Sequence, residues 1–169
     1  MKMHIVLVEP EIPQNTGNIA RTCAAIGAKL HLVYPLGFNI SEKQVKRAGL
    51  DYWDKLEIEE HTNFKEFLNK YKSEENNMFF VTTKGKHVYS DVDYSKMEDV
   101  YILFGKETKG LPEDILKTHL DQTIRIPMRE TIRSLNLSNS VAIVAYEIFK
   151  QQNFGGLEKI SSYFDLNIV

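Results

Sequence analysis

The sequence predicts an α/β fold, a mainly parallel sheet flanked by helices, and three observations carry that reading. Apolar runs recur at Ile5–Val8, Met78–Thr82 and Val100–Phe104, with an alternating run at Lys29–Tyr34 and a further strand at Thr123–Ile126. Runs this short and this apolar suit strands covered on both faces. Segments with helical spacing or capping residues lie between them, and the runs give way to loops rich in Gly, Pro or Asn. Strand and helix therefore alternate, as parallel crossover connections require.

The elements follow in order. Ile5–Val8 is a first strand, ended by Pro10 and Pro13. It is too short for a signal-peptide core. Asn15 or Thr16 then caps a helix that Gly27 stops. Lys29–Tyr34 is the second strand, Pro35-Leu36-Gly37 turns, and Ser41-Glu42-Lys43-Gln44 has capping-box spacing for a short helix ending near Gly49. Leu56–Glu59 reads as a short strand. Asn63 opens a helix through Tyr71 with Phe64, Phe67 and Leu68 at helical spacing. Lys72–Asn77 reads as a polar loop. The strands Met78–Thr82 and Val100–Phe104 lead into Thr83-Lys84-Gly85-Lys86 and Gly105-Lys106-Glu107-Thr108-Lys109-Gly110. A modest helix follows Leu111-Pro112 to Thr118, then the strand Thr123–Ile126, a polar loop, and a helix from about Ser138 to Gln151. The tail from Asn153 is read as a segment able to dock as an extra short helix.

Composition narrows the functional classes. A chain of 169 residues with 43% apolar content reads as one domain, 1–169, with an ordinary core. A net charge of −2 does not describe an overall basic nucleic-acid binder, so an RNA partner would have to meet a local basic patch. The single cysteine, Cys23, excludes an intrachain disulfide framework and makes the cytoplasm the default compartment. No apolar stretch approaches the ~20 residues of a bilayer span, so no membrane role is expected.

Three strand-end loops, after Thr82, Phe104 and Ile126, can line one crevice at the C-terminal edge of a parallel sheet. Their short side chains, at Thr82, Thr83, Gly85, Gly105, Gly110, Ser134 and Ser138, favour recognition by backbone groups. Such a crevice suits an adenine or ribose better than a triphosphate. Gly105–Gly110 is not a P-loop, because Leu111 follows where Lys-Ser/Thr would stand. His4, His31, His61, His87 and His119 are scattered without ligand spacing, and no metal site is expected. Surface or ordinary structural roles are assigned to them. Ser134 and Ser138 lack the motif of a nucleophile and are read as capping and loop residues.

Arg21 lies in a helix otherwise built from Ile19, Ala20, Cys23, Ala24 and Ile26. Arg129 and Arg133 bracket the last loop, and Lys43, Lys46 and Arg47 form a separate basic face able to grip phosphates. The last helix is apolar on more than one face, through Val141, Ile143, Val144, Ala145, Ile148 and Phe149. A central position in a monomer or a dimer interface would satisfy it, with Tyr146 a core or interface aromatic.

Four segments carry a resemblance to a known family. They are Pro13–Cys23 (PQNTGNIARTC), Lys46–Trp53 (KRAGLDYW), Phe104–Pro112 (FGKETKGLP), and Ile126-Pro127-Met128 with Arg133–Ser140 (RSLNLSNS). Together they resemble the SPOUT-class RNA methyltransferases, in particular the TrmL (YibK-like) family of tRNA wobble-nucleotide ribose 2′-O-methyltransferases. The resemblance covers nearly the whole chain.

It implies a C-terminal deep trefoil knot spanning about 78–152, which no periodicity argument predicts. It implies S-adenosylmethionine bound in the knotted loops, with Val81, Gly105, Ile126 and Ser134 matching family cofactor positions and Thr82, Glu107, Met128, Leu135 and Asn136 lining the same pocket. It further implies a homodimer with shared active sites and an anticodon stem-loop of tRNA as substrate. Arg21 matches the catalytic arginine, with Tyr146 a weaker candidate, and Asn18, Arg21, Lys46, Arg47, Arg129 and Arg133 are carried as substrate-binding residues. Arg129-Glu130-Thr131-Ile132 replaces the family's small polar residues and bears on substrate preference. A related methylation of ribosomal RNA, or a cofactor-binding RNA module without turnover, are the alternatives at this stage.

Overall fold

Alternate residues of the apolar strand runs face opposite sides of one sheet, and both sides are covered. The structure, a computed structural model, describes residues 1–39 and 56–163. The strands are β1 (Lys2–Val8), β2 (Lys29–Val33), β3 (Ile58–His61), β4 (Met78–Val81), β5 (His87–Val88), β6 (Asp99–Phe104) and β7 (Thr123–Arg125). They form one seven-stranded sheet in the order β3-β2-β1-β6-β4-β7-β5. Every pairing between these strands is parallel. The helices are α1 (Pro13–Ile26), α2 (Phe64–Lys70), α3 (Glu113–Thr118) and α4 (Leu137–Gln151).

Ile5 and Leu7 of β1, Leu30 and Leu32 of β2 and Ile102 of β6 pack under Ile19, Cys23 and Ile26 of α1 and Val141, Val144, Ala145 and Ile148 of α4. The intervening residues Val6, Val8, Val33, Phe80 and Leu103 face Phe64 and Phe67 of α2 and Leu111 and Leu116 near α3. Burial on both faces is why β1, β4 and β6 are apolar at most positions.

The local chemistry moves some boundaries. Pro13 opens α1, two residues before Asn15, because its fixed φ and missing N–H suit the first helical position. Asn15 and Thr16 are therefore buried in the first turn and do not act as caps. Gly27 ends the helix as expected, at φ 67°, with its N–H on the Cys23 carbonyl. Asn63 caps α2 by accepting the Glu66 N–H at 2.9 Å. The third strand begins at Ile58, two residues past Leu56, and Lys72–Asn77 is a 3-10 helix where a loop was expected. The two-residue β5 was not anticipated. After Asn153 the chain makes turns through Tyr163 without the extra helix. The expected helix from Ser41, with Lys43, Lys46 and Arg47, lies outside the described residues.

One expectation for α4 is corrected. Val141, Val144, Ala145, Ile148 and Phe149 are buried, but Ile143 is 38% exposed and Tyr146 45% exposed. The helix covers one side of the sheet rather than sitting centrally in a monomer, and an apolar strip stays on its outer face.

Candidate active site

The C-terminal ends of β4, β6 and β7 open onto one crevice of about 970 Å³. Loop length and register bring the predicted positions together there. Val81 and Thr82 come from the end of β4, Gly105 and Glu107 from the loop after β6, and Ile126 and Met128 from the segment after β7. Ser134, Leu135 and Asn136 complete the lining just ahead of α4, with Arg133 beside them. Apolar side chains such as Val81, Ile126 and Leu135 share the lining with the charged Glu9, Lys106, Glu107 and Arg133, the mix of apolar cover and a few polar groups that small-molecule sites use. Two glycines make the close approaches. A Cβ on Gly105 would lie 2.0 Å from the Gly110 carbonyl carbon, and one on Gly85 would lie 2.5 Å from that of Ile124.

The walls are tied by a polar network that composition did not reveal. Ile12 offers α1 no side-chain cap, and Glu107 supplies one from across the crevice. Its carboxylate accepts the N–H groups of Glu11 at 2.8 Å and Ile12 at 3.2 Å, and the Asn15 side-chain amide at 3.1 Å. A carboxylate at a helix N-terminus is also favoured by the helix dipole. The Asn15 carbonyl oxygen accepts from the Asn136 amide at 3.0 Å. Asn136, not Ser138, caps α4. Its side-chain oxygen accepts the Ser138 and Asn139 N–H groups at 2.9 and 3.3 Å, while the Ser138 hydroxyl donates to the same oxygen. Asn15 was missed as a site residue, although a buried amide on the face of Ile19 demands partners.

A second pair closes the end nearest β1. Glu9 adopts φ 53°, and Lys106 donates to its carboxylate at 2.5 Å. Thr108 binds Glu11 through both its N–H and its hydroxyl at 3.0 Å.

Other expected residues lie elsewhere. Asn18 and Arg21 are on the exposed face of α1, and Tyr146 is on the exposed face of α4. Neither Asn18, Arg21, Tyr146 nor Arg129 lines the crevice of its own chain. Lys46 and Arg47 lie outside the described residues.

The histidines are not all scattered. His4 Nδ1 lies 2.9 Å from His31 Nε2, and His31 Nδ1 lies 3.0 Å from His61 Nε2, so three buried imidazoles form a chain across β1, β2 and β3. Parallel pairing makes neighbours of residues 27 and 30 apart in sequence. Burial pushes the His31 pKa down to about 3 and lowers those of His4 and His61. His31, His61 and Glu59 also offer three ligand-type atoms within 4.8 Å of one another. Burial alone would raise the Glu59 pKa, but hydrogen bonds from Lys29, Lys70 and Tyr71 outweigh it and hold the carboxyl well below its usual range. Two ammonium groups already on Glu59, at 2.8 and 2.7 Å, would repel a divalent cation.

Residues 2–146 match the SpoU rRNA Methylase family. The chain belongs to that family. Among SpoU relatives, a tRNA (cytidine(34)-2′-O)-methyltransferase of Yersinia pestis is 46% identical over 158 residues, 91% of this chain and 96% of its own. A solved structure described as "Structural insights into the 2-OH methylation of C/U34 on tRNA" superposes with a TM-score of 0.83 at 42% identity, over 90% of this chain and 97% of that one. An AdoMet-bound rRNA methyltransferase of Sinorhizobium meliloti gives 0.78 at 26% identity, over 88% of this chain and 56% of that one.

Proposed function

We propose that the chain transfers the methyl group of S-adenosylmethionine to the ribose 2′-hydroxyl of the wobble pyrimidine, cytidine or modified uridine, in the tRNA anticodon loop. The observation that carries this is the single crevice at the ends of β4, β6 and β7, where all nine expected cofactor positions meet. Relatives with that activity and substrate, matched over nearly their full length, support it. The crevice fits the cofactor through its donor set. Val81, Ile126 and Leu135 offer apolar cover, and the missing Cβ of Gly105 lets the Gly110–Leu111 backbone close against the end of β6 and shape the wall.

When bound, S-adenosylmethionine supplies a methyl already activated by its sulfonium, so the protein's part is alignment and solvent exclusion. The Glu107–Asn15–Asn136 network fixes the crevice loops relative to α1. Arg21, with a guanidinium pKa above ~12, is a poor proton acceptor and instead holds the target phosphate and orients the hydroxyl. Asn18, one turn earlier, works beside it, and Arg129, Arg133, Lys46 and Arg47 hold backbone phosphates of the stem-loop.

Arg21 does not line the crevice of its own chain, which favours an active site completed in a homodimer. The exposed Ile143 and Tyr146 of α4 supply the apolar part of that interface. The chain is one domain, 1–169, in which the stretch 78–152 forms a deep trefoil knot. Support for the knot comes from β7 lying between β4 and β5, with α4 packed back over α1. The enzyme works in the cytoplasm with its tRNA. Among the described residues no helix is long and apolar enough to cross a membrane.

Incubation with S-adenosylmethionine and unmodified total tRNA, followed by mass-spectrometric mapping, tests the activity. Ribose methylation at the wobble position is expected, and no product in the anticodon loop overturns it. A ribosomal RNA arm belongs in the same experiment, because the family description names rRNA.

A further inference from the structure

The Glu9–Lys106 pair is unlike the other ion pairs near the crevice. Lys84–Glu113 and Lys86–Asp121 have side chains 57–85% exposed, whereas Glu9 and Lys106 are each 30% exposed and both line the crevice. Glu9 also holds a left-handed backbone, which an L residue with a Cβ adopts at a cost, and Pro10 follows it. Its N–H is fixed on the Val33 carbonyl at 2.9 Å. The chain thus turns sharply at the end of β1, and the carboxylate reaches the crevice wall.

β1 neighbours β6 in the sheet, so this pair extends the crevice one strand beyond the loops that line the cofactor positions. At about 970 Å³ the cavity sits at the upper end of the ~300–1,000 Å³ range of small-molecule sites. That leaves room for a nucleotide beside a cofactor. Among the described residues the pair uses only Glu9 Oε2 and one ammonium hydrogen. Glu9 Oε1 and the remaining ammonium hydrogens can take a ligand.

Cytosine presents an N4 amino donor beside the N3 acceptor, and uracil presents an N3–H donor beside the O4 acceptor. The two edges are the same pattern reversed. A carboxylate and an ammonium held in one order satisfy both when the ring slides by one atom: Glu9 accepts N4–H and Lys106 donates to N3 of cytosine, or Glu9 accepts N3–H and Lys106 donates to O2 of uracil. Substituents at C5 of uracil leave this edge untouched. Purines carry similar groups farther from the ribose, so reach from the methylated hydroxyl selects the smaller ring.

We propose that the Glu9–Lys106 pair reads the Watson–Crick edge of the target pyrimidine and gives the site its acceptance of both cytidine and uridine. This rests on the wobble-methyltransferase reading above. The pair is a specificity element; methyl transfer itself is left to the groups around the hydroxyl.

The test uses synthetic anticodon stem-loops with cytidine, uridine, 2-pyrimidinone riboside or N3-methyluridine at the wobble position. The first analogue lacks the exocyclic donor, and the second blocks the edge. The native enzyme is expected to lose about 10–100-fold in kcat/KM on both analogues, the worth of a charge-assisted hydrogen bond. Glu9→Gln and Lys106→Met are expected to lower kcat/KM on cytidine and uridine by a similar factor and to erase the penalty on the analogues. S-adenosylmethionine affinity by calorimetry should stay within about twofold, since these groups lie outside its positions. Equal turnover of both analogues by the native enzyme overturns the inference without any variant, and so does an unchanged substrate profile in Glu9→Gln. An enzyme inactive on every stem-loop overturns the activity reading, and this inference with it.

Discussion

The Asn136 amide donates to the Asn15 carbonyl oxygen at 3.0 Å, across 121 residues of sequence, and so joins the cap of α4 to the first turn of α1. Asn136→Ala should remove the cap, at about 0.5–2 kcal/mol, and orphan a buried acceptor on Asn15. The expected outcome is a Tm several degrees lower together with weaker S-adenosylmethionine binding by calorimetry. Ser138→Ala, which removes only a hydroxyl donating to the same oxygen, should do neither to the same degree. Equal effects from the two variants would count against the cross-chain link.

Gly105 and Gly110 test the crevice turn in opposite ways. A Cβ on Gly105 would meet backbone atoms at 2.0 and 2.1 Å, so the loop must open to accept it. Gly110 has open space around a Cβ but a φ of +72°. Gly110→Ala should cost about 1 kcal/mol of strain and keep cofactor affinity, while Gly105→Ala should lower that affinity by more than about tenfold with the fold retained by circular dichroism. Matching affinities for the two would mean that the Gly105 turn does not shape the site.

The crevice was legible because its makers are local. Val100–Phe104 and Met78–Val81 are uninterrupted apolar runs, and Gly105, Ser134 and Asn136 follow strands or precede a helix, so order along the chain already grouped them. What escaped depends on register between distant strands. Nothing near His31 announces His4 or His61, and only the β1–β2–β3 pairing lines them up. The two-residue β5 carries no periodicity at all. The start of α1 was misjudged because Asn15 and Thr16 are good caps by residue type, yet Pro13 is better suited to the first turn and Glu107 caps from elsewhere. That Arg21 is exposed on α1 and does not line the crevice of its own chain is likewise a property of packing that no spacing reveals.

Arg21→Lys keeps the charge and removes the planar fork, so turnover should fall by at least about tenfold while S-adenosylmethionine affinity holds. Near-normal turnover would sink the role assigned to its geometry. If a homodimer forms through the outer face of α4, Ile143→Asp should yield monomers by analytical ultracentrifugation and abolish methylation. If each site combines two chains, mixing the impaired Arg21→Lys and Gly105→Ala proteins should give more activity than the mean of the two alone, whereas sites confined to one chain would give only that mean.

The buried histidine chain should make stability fall as the pH drops below about 6.5. Its imidazoles stay neutral in the folded protein because burial dominates, with Asp99 opposing the effect at His4 and Glu59 opposing it at His31 and His61. A chain in which His61 donates to His31, and His31 to His4, leaves the His4 Nε2 hydrogen facing Asp99 at 3.5 Å. Above about pH 6.5 both folded and unfolded histidines are neutral and contribute nothing to pH dependence. As pH falls below that value the unfolded chain gains protons that the folded one refuses, so stability declines by up to about 1.4 kcal/mol per pH unit for each such histidine. For His31 the decline continues toward its folded pKa of about 3. Carboxyls with lowered pKa values, Glu59 among them, lose their contribution only as pH falls below about 4.5, so they leave the window from pH 5 to 7 to the histidines. His31→Gln, which can still bond to both neighbours, should reduce that slope by about one proton's worth in urea unfolding series between pH 5 and 7. An unchanged slope would mean that the buried imidazoles take up protons without breaking the fold.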